Sequence, residues 1–481
     1  MTDFYTSASS QAHLNLAITI ASRVLKTTLT GWRGRLITIF WLVLVALATW
    51  SGATACKAEW QAYDTGEAAV IAAFSDWRAA YGSDPWRPVD LAAEHPIVRH
   101  LPPAPGRALA AGVSDAVGTW AAPANYHQRE LEGRKGELTP LGILFGTLDL
   151  AGLVGVAGAL LTIALGFDGI SAEKERGTLA LHFANPLGRG TFLLGKLLGV
   201  FAVVGCTLWL PLLLGVTVLG ATGNIEASWD GLTRAVLFML IGLAYLMFWT
   251  TASIAVSVMA RSSAASVVAL ASLWLVVALA APKVIAAEAA SRHPVTASAL
   301  LEEKIPALRA QSLVNYRKKL TAYKNGHHGA TPKGVDAARL RLAYYDEFFA
   351  RIDHVTAIDK TIRVAREHSL QTLAVLSPTL VYQLATAELA GTDGARHRAF
   401  IDAVDAYARD LRRWPEQRLI TGIDTRPTWN ELPPFNPGNA YAQTDLNRAF
   451  RHIGILLVLC ALAMLAAWLA FLRYDLRLQG A

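Results

Sequence analysis

The chain has 481 residues, 53% of them hydrophobic and only 17% charged, against about 25% charged in an ordinary soluble protein. Its mean hydropathy is +0.34, its pI about 9.3 and its formal net charge +7. These values exclude a soluble globular domain and predict a polytopic membrane protein with basic edges against anionic lipid. No basic run is interleaved with aromatics on a soluble module, so no nucleic-acid partner is expected.

Residues 1–35 predict an interfacial helix. Leu14, Ile18, Ala21, Val24, Leu25 and Trp32 recur at helical spacing, and Arg23, Lys26, Arg33 and Arg35 supply a basic side. The alternative is a plain extension of the first span. That span is expected over 36–56. Its end, Ala53-Thr54-Ala55 followed by Cys56, mimics a signal-peptide cleavage site or a loose lipoprotein box. The polar stretch before the apolar run is too long for either, so the helix is expected to stay as an anchor. Cys56, Cys206 and Cys460 all lie in or beside apolar runs, which leaves the soluble parts no disulfide framework.

Residues 57–140 form a first hydrophilic segment, with helix expected over Ala58–Tyr81 and a break at Pro102-Pro103-Ala104-Pro105. His95 and His100 lack a third ligand at metal-site spacing and read as solvated. A second span over 141–167 carries Asp149 in its outer half. An intramembrane carboxylate is costly, which makes Asp149 a functional candidate. The competing and preferred reading is structural: a side chain that reaches water at the outer interface or caps a neighbouring helix. Gly142, Gly146, Gly152, Gly155 and Gly158 would let another helix approach closely.

Residues 168–196 are a short charged segment between two runs that are each long enough to cross a bilayer. Lys174, Arg176, Arg189 and Lys196 place it on the cytoplasmic side. Ser171 is expected to cap a turn carrying Glu173 and Glu175, and Gly177 to break it. Thr178–Ala184 offers a second short helix, stopped by Asn185-Pro186. Two readings stand: a bent surface helix that presses on a cytoplasmic partner through Leu179, Leu181 and Phe183, or an ordinary solvated loop. Gly190–Leu197 imitates a phosphate-binding loop, but Leu197 stands where Mg²⁺ needs a hydroxyl, so no ATP site is expected.

A third span over 197–220 contains Pro211, which predicts a kink. Spans over 235–260 and 264–282 follow, joined by the tight turn Arg261-Ser262-Ser263. Residues 283–451 are a second hydrophilic segment, mostly helical, with breaks expected at Pro294 and Pro306. Ser377-Pro378 starts one helix and Gly391 ends it. In the next, Phe400, Ala403, Val404, Tyr407 and Leu411 share an apolar face. A sixth span over 453–472 leads to a basic tail, 473–481. The fold expected is therefore all-α and polytopic: six transmembrane helices with an α-helical extracytoplasmic domain built from two inserted segments.

Ser171-Ala-Glu173-Lys-Glu175-Arg176-Gly177-Thr178-Leu179, with Pro186 and Gly195-Lys196 behind it, resembles the first cytoplasmic loop of ABC-2 type transporter permeases. Ser377–Arg412 resembles the extracytoplasmic region of their DUF3526 subgroup, and Gly112–Asp115 with Leu141–Ala151 is a third matching patch. The resemblance implies a bacterial inner-membrane permease, multi-pass, with both termini cytoplasmic. It implies no catalysis and no directly bound cofactor; Mg-ATP sits on a cytoplasmic ABC ATPase subunit. The loop holds the coupling helix, and the carried-over coupling residues are Ser171, Glu173, Glu175, Arg176, Gly177, Thr178, Leu179, Pro186 and Arg189. Asp149 and Pro211 are the transmembrane candidates. A second permease copy or paralogue completes a twelve-helix core, membrane lipid surrounds it, and a periplasmic or outer-membrane protein is a further partner. The expected role is an exporter or mechanotransmitter. Members often carry a proline midway through the second span; here that stretch is Val154–Leu160, so a hinge would rely on glycine. The rival function is a membrane-anchored periplasmic sensor or enzyme with no ATPase partner.

Overall fold

An apolar run in lipid has no water to satisfy its backbone, so it closes its hydrogen bonds within its own helix. The computed structural model is 83% helical, in keeping with this. It describes residues 2–80, 98–114, 117–121, 148–183, 188–295, 298–423, 429–437 and 446–473. Among the described residues, six helical rods are long and apolar enough to cross a membrane: Trp32–Asp76, Leu150–Glu175, Arg189–Ala221, Trp229–Met259, Ser263–Arg292 and Asn447–Arg473.

Helix α1 (Thr2–Thr30) is separated at Gly31 from α2 (Trp32–Ala80). The apolar face expected on α1 is divided: Leu14 and Ile18 are exposed, whereas Ala21, Val24 and Leu25 are partly buried. The protein-facing side is set by two glycines of the third rod. A Cβ at Gly195 would lie 2.9 Å from Ile20 Cβ, and one at Gly199 would lie 2.7 Å from Val24 Cβ. Helix α2 joins the span expected over 36–56 to the helix expected over Ala58–Tyr81, with no break at Cys56. It is 49 residues long in all, because nothing after Cys56 breaks it and its far half packs on the following loop. Gly52 lets Ala108 approach and Gly66 lets His100 approach, both too close for a side chain. There β1 (Arg99–His100) pairs antiparallel with β2 (Trp120–Ala121), and His100 bonds Glu67 of α2.

The second rod comprises α3 (Leu150–Leu153), a π-helical turn (Val154–Gly158) and α4 (Ala159–Gly166). The third is α7 (Arg189–Val204), a π turn (Gly205–Trp209) and α8 (Leu210–Ala221). Two short helices, α5 (Ser171–Glu175), at the very end of the second rod, and α6 (Thr178–Phe183), connect the two. The disturbance expected at Pro211 takes the form of that π turn. Proline lacks an N–H and its ring crowds the carbonyl of Thr207, so the turn ahead of it widens. The fourth rod is α9 (Trp229–Met259). The fifth is α10 (Ser263–Trp274), a third π turn (Leu275–Ala280) ahead of Pro282, and α11 (Ala281–Arg292). It overruns the expected end at 282 by three turns.

Beyond the fifth rod stands a helical lobe: α12 (Ser298–Gly326), α13 (Gly334–Ala374), α14 (Pro378–Ala390) and α15 (Gly394–Ile420), after which α16 (Leu446–Arg473) re-enters the bundle. Pro306 sits inside α12 without ending it, at an exposed position. The Ser377 hydroxyl accepts from Leu380 N–H at 3.2 Å, and Gly391 closes α14 with φ +68°. The apolar face of α15 is buried: Phe400, Val404, Tyr407 and Leu411 pack on Val70 and Phe74 of α2, on Leu101 and on Leu432. Opposite that face, Arg341 of α13 donates two hydrogen bonds, 2.6 and 2.8 Å, to the fully buried Glu416.

Helix α14 joins lobe to bundle. Tyr382 stacks on Tyr245 of α9 at 4.6 Å, and the Tyr245 hydroxyl donates to Gly155 O at 2.7 Å, inside the π turn of the second rod. A cavity of about 1120 Å³ lies at this junction, lined among others by Trp60, Glu226, Arg234, Glu388 and Arg448. Burial pushes the Glu388 carboxyl up to about 7. The loop between the second and third rods and the turn between the fourth and fifth share one end of the bundle. The parity of the rods puts the lobe at the other.

Candidate functional site

The loop between the second and third rods is a two-part elbow. Gly177, at φ +68°, is the hinge that lets α6 leave α5 at an angle; a side chain there would be strained. Ser171 does not cap α5, contrary to expectation. It is the first helical residue, and its hydroxyl donates to Phe167 O at 3.2 Å. The cap comes from α9 instead: Ser257 Oγ accepts the N–H groups of Ile170 at 3.0 Å and Ser171 at 2.9 Å. A buried helix start needs an acceptor, and packing delivered one from a neighbouring rod.

The charges of α5 are used the same way. Lys174 is buried and donates to Val258 O, and to Ala260 O at 3.1 Å, the last carbonyls of α9. Glu175 accepts from Ser263 N at 3.0 Å and Ser263 Oγ at 2.7 Å, at the start of α10. A cation on a helix C-terminus and an anion on an N-terminus both complement the helix dipoles. Glu173 accepts from Lys196 of α7 and lies 3.8 Å from His182 Nε2. At the root of the elbow Asp168 pairs with Arg33 of α2 at 2.7 Å, and the Arg33 guanidinium covers Phe167.

Beyond the hinge, Leu179 is fully buried, and Phe183 packs on Phe192 and Phe471 at 5.4 and 6.0 Å. Two of the three apolar residues expected to face a partner therefore face the protein's own helices. Leu181 alone points out, 69% exposed, with Arg176 exposed beside the hinge and Thr178 half-buried. Arg189 donates to Phe471 O and Leu472 O at 3.0 and 2.8 Å, closing the last turn of α16. Pro186 lies outside the described residues. Gly190–Leu197, the phosphate-loop mimic, is helical throughout within α7.

The two transmembrane candidates are remote from the elbow. Asp149 caps its own helix: it is buried, and its carboxylate accepts from Gly152 N and from Ala111 N of the hydrophilic loop. Ala151 N donates to Leu109 O at 3.1 Å alongside. Residues 141–147, the expected start of this span, lie outside the described residues. Pro211 is buried in the third rod.

The sequence placed Ser263 in the turn after the fourth span but with no partner, and it left Ser257 without a role. Serines near the ends of long apolar helices were a faint signal, but nothing local assigns them partners 86 and 88 residues away. In total the elbow has an inner side bonded to four rods and an outer side offering Arg176, Leu181 and His182.

A comparison with curated proteins gives no match. The sequence model for the family described as ABC-2 family transporter protein matches residues 18–476, nearly the whole chain, including every span and the elbow. The chain belongs to that family, as a multi-pass membrane permease subunit of an ABC transporter.

Proposed function

We propose that the elbow is the coupling element on which a separate cytoplasmic ABC ATPase acts. Nucleotide-driven movement of that subunit pushes α6, and the inner bonds of α5 pass the push to the fourth and fifth rods. The lobe at the opposite end then shifts through α14. The phosphate-loop mimic Gly190–Leu197 is helix, and Mg-ATP is held by the ATPase. The protein lies in a bacterial inner membrane with both termini cytoplasmic and the lobe periplasmic, in line with the basic residues of the elbow. It works as an exporter or mechanotransmitter beside a second copy or a paralogue. The lobe meets a periplasmic or outer-membrane partner, an arrangement that accords with the DUF3526-like stretch Ser377–Arg412.

The observation that carries this reading is the split of the elbow into a bonded inner side and an exposed outer one. Its test uses the outer side alone. The full chain, purified in mild detergent, should copurify an ATPase. Arg176→Glu with Leu181→Asp should cut that capture at least about tenfold, equivalent to roughly 1.4 kcal/mol, while the thermal midpoint stays put. Undiminished capture would overturn the assignment of the docking face. A cysteine at Arg176 that reacts with an impermeant reagent from outside intact cells would overturn the orientation.

A further inference from the structure

Where α2 meets α8, Gly215 lets the helices touch; a Cβ there would lie 2.9 Å from Val45 Cγ1. Alongside this contact runs a groove of about 440 Å³. Most of its length is apolar, walled by residues such as Val45, Leu214 and Val218, whereas one end is polar, formed by Lys57, Thr222 and Asn224. Two of these polar groups are already satisfied: Asn224 Nδ2 donates to Thr222 Oγ1 and Thr222 Oγ1 to Val218 O, each at 2.8 Å. Lys57 is different. It is exposed, and the residues one turn away on α2 (Ala53, Thr54, Trp60, Gln61) carry no charge to pair with it.

Both walls belong to membrane-crossing rods, so the medium against the groove is lipid. Trp50, 68% exposed, and Trp60, 46% exposed, bracket Lys57 along α2, the positions that interfacial aromatics take. The groove thus repeats the order of a phospholipid: an apolar channel for one acyl chain and a single cation at headgroup level. A lone lysine there discriminates by charge. We propose that the groove between α2 and α8 binds an anionic phospholipid, its chain along the apolar wall and its headgroup on Lys57. The proposal rests on the membrane placement of the rods and is independent of the ATPase reading.

The test measures fluorescence quenching of Trp50 in the full chain reconstituted into phosphatidylcholine bilayers. Brominated phosphatidylglycerol or brominated phosphatidylcholine is added at equal mole fraction, and the Trp50 share is taken as the difference from Trp50→Phe. Brominated phosphatidylglycerol should quench that share several-fold more effectively. Lys57→Gln should erase the preference and Lys57→Arg keep it, with the thermal midpoint unchanged in both. Equal quenching by the two lipids in the unsubstituted protein would leave only unselective surrounding lipid and overturn the proposal. So would no quenching by either, which would mean that a second copy or another protein covers the groove.

Discussion

Replacing Arg341 with methionine should destabilise the lobe by about 3–5 kcal/mol at pH 8, the cost of leaving a buried charge without its partner. Glu416 is fully buried, and both of its oxygens accept from Arg341. Burial raises the Glu416 carboxyl above its ordinary value, and the Arg341 bonds pull it back only in part. A carboxyl raised in the folded state binds more protons folded than unfolded, so its contribution to stability falls as pH rises through the window above the ordinary carboxylate value. Without Arg341 that window extends further upward. The loss in the variant should therefore be small near pH 4, where Glu416 is protonated in both states, and full at pH 8. Chemical-denaturation midpoints of the purified full chain at the two pH values test this; an equal loss at both would refute it. Glu416→Leu added to Arg341→Met should recover most of the stability, since an apolar pair of similar volume replaces a buried ion pair with little penalty.

The second large effect is expected at the inner side of the elbow. Lys174→Met with Glu175→Gln removes the cation from the end of α9 and the anion from the start of α10. Both charge-assisted contacts are lost, the buried Lys174 one counting for more than the solvent-screened Glu175 one, so the elbow should come loose from the turn between these rods. In a background lacking Cys56, Cys206 and Cys460, spin labels at Arg176→Cys and Arg261→Cys should report one narrow distance. The double substitution should broaden it severalfold, while ATPase capture, measured on the same double variant with Arg176 intact and unlabelled, stays within about twofold, because Arg176 and Leu181 are untouched there. A distance that stays narrow would mean that Ser257 and packing alone hold the elbow. Loss of capture would mean that the inner and outer sides are not separable.

Much of this architecture was legible along the chain, wherever the governing rule is local. Run length located the six rods, and Gly177 marked the hinge because a positive φ suits glycine. Ser377, Pro378 and Gly391 bounded α14 correctly, and the 3.6-residue spacing from Phe400 to Leu411 found the buried face of α15. Hydropathy misjudged where helices end, since it registers the end of the apolar run and not of the hydrogen bonding. Helix α2 runs without a break from the first span through the helix expected over Ala58–Tyr81, and the fifth rod goes on to Arg292, because each finds protein to pack on outside the apolar zone.

The partners of the polar groups were decided only by the tertiary structure. Ser171 looked like a cap, yet the acceptor at that helix start is Ser257; Asp149 has the structural role preferred for it, but the helix it caps is its own and the loop residue it holds is Ala111. Leu179 and Phe183 looked available to a partner; Leu179 is fully buried, and Phe183 is partly buried against Phe192 of α7 and Phe471 of α16. Helix, hinge and apolar face follow from forces acting within a few residues. Which donor meets which acceptor depends on how rods far apart in the chain are brought side by side, and a single sequence carries no local trace of that.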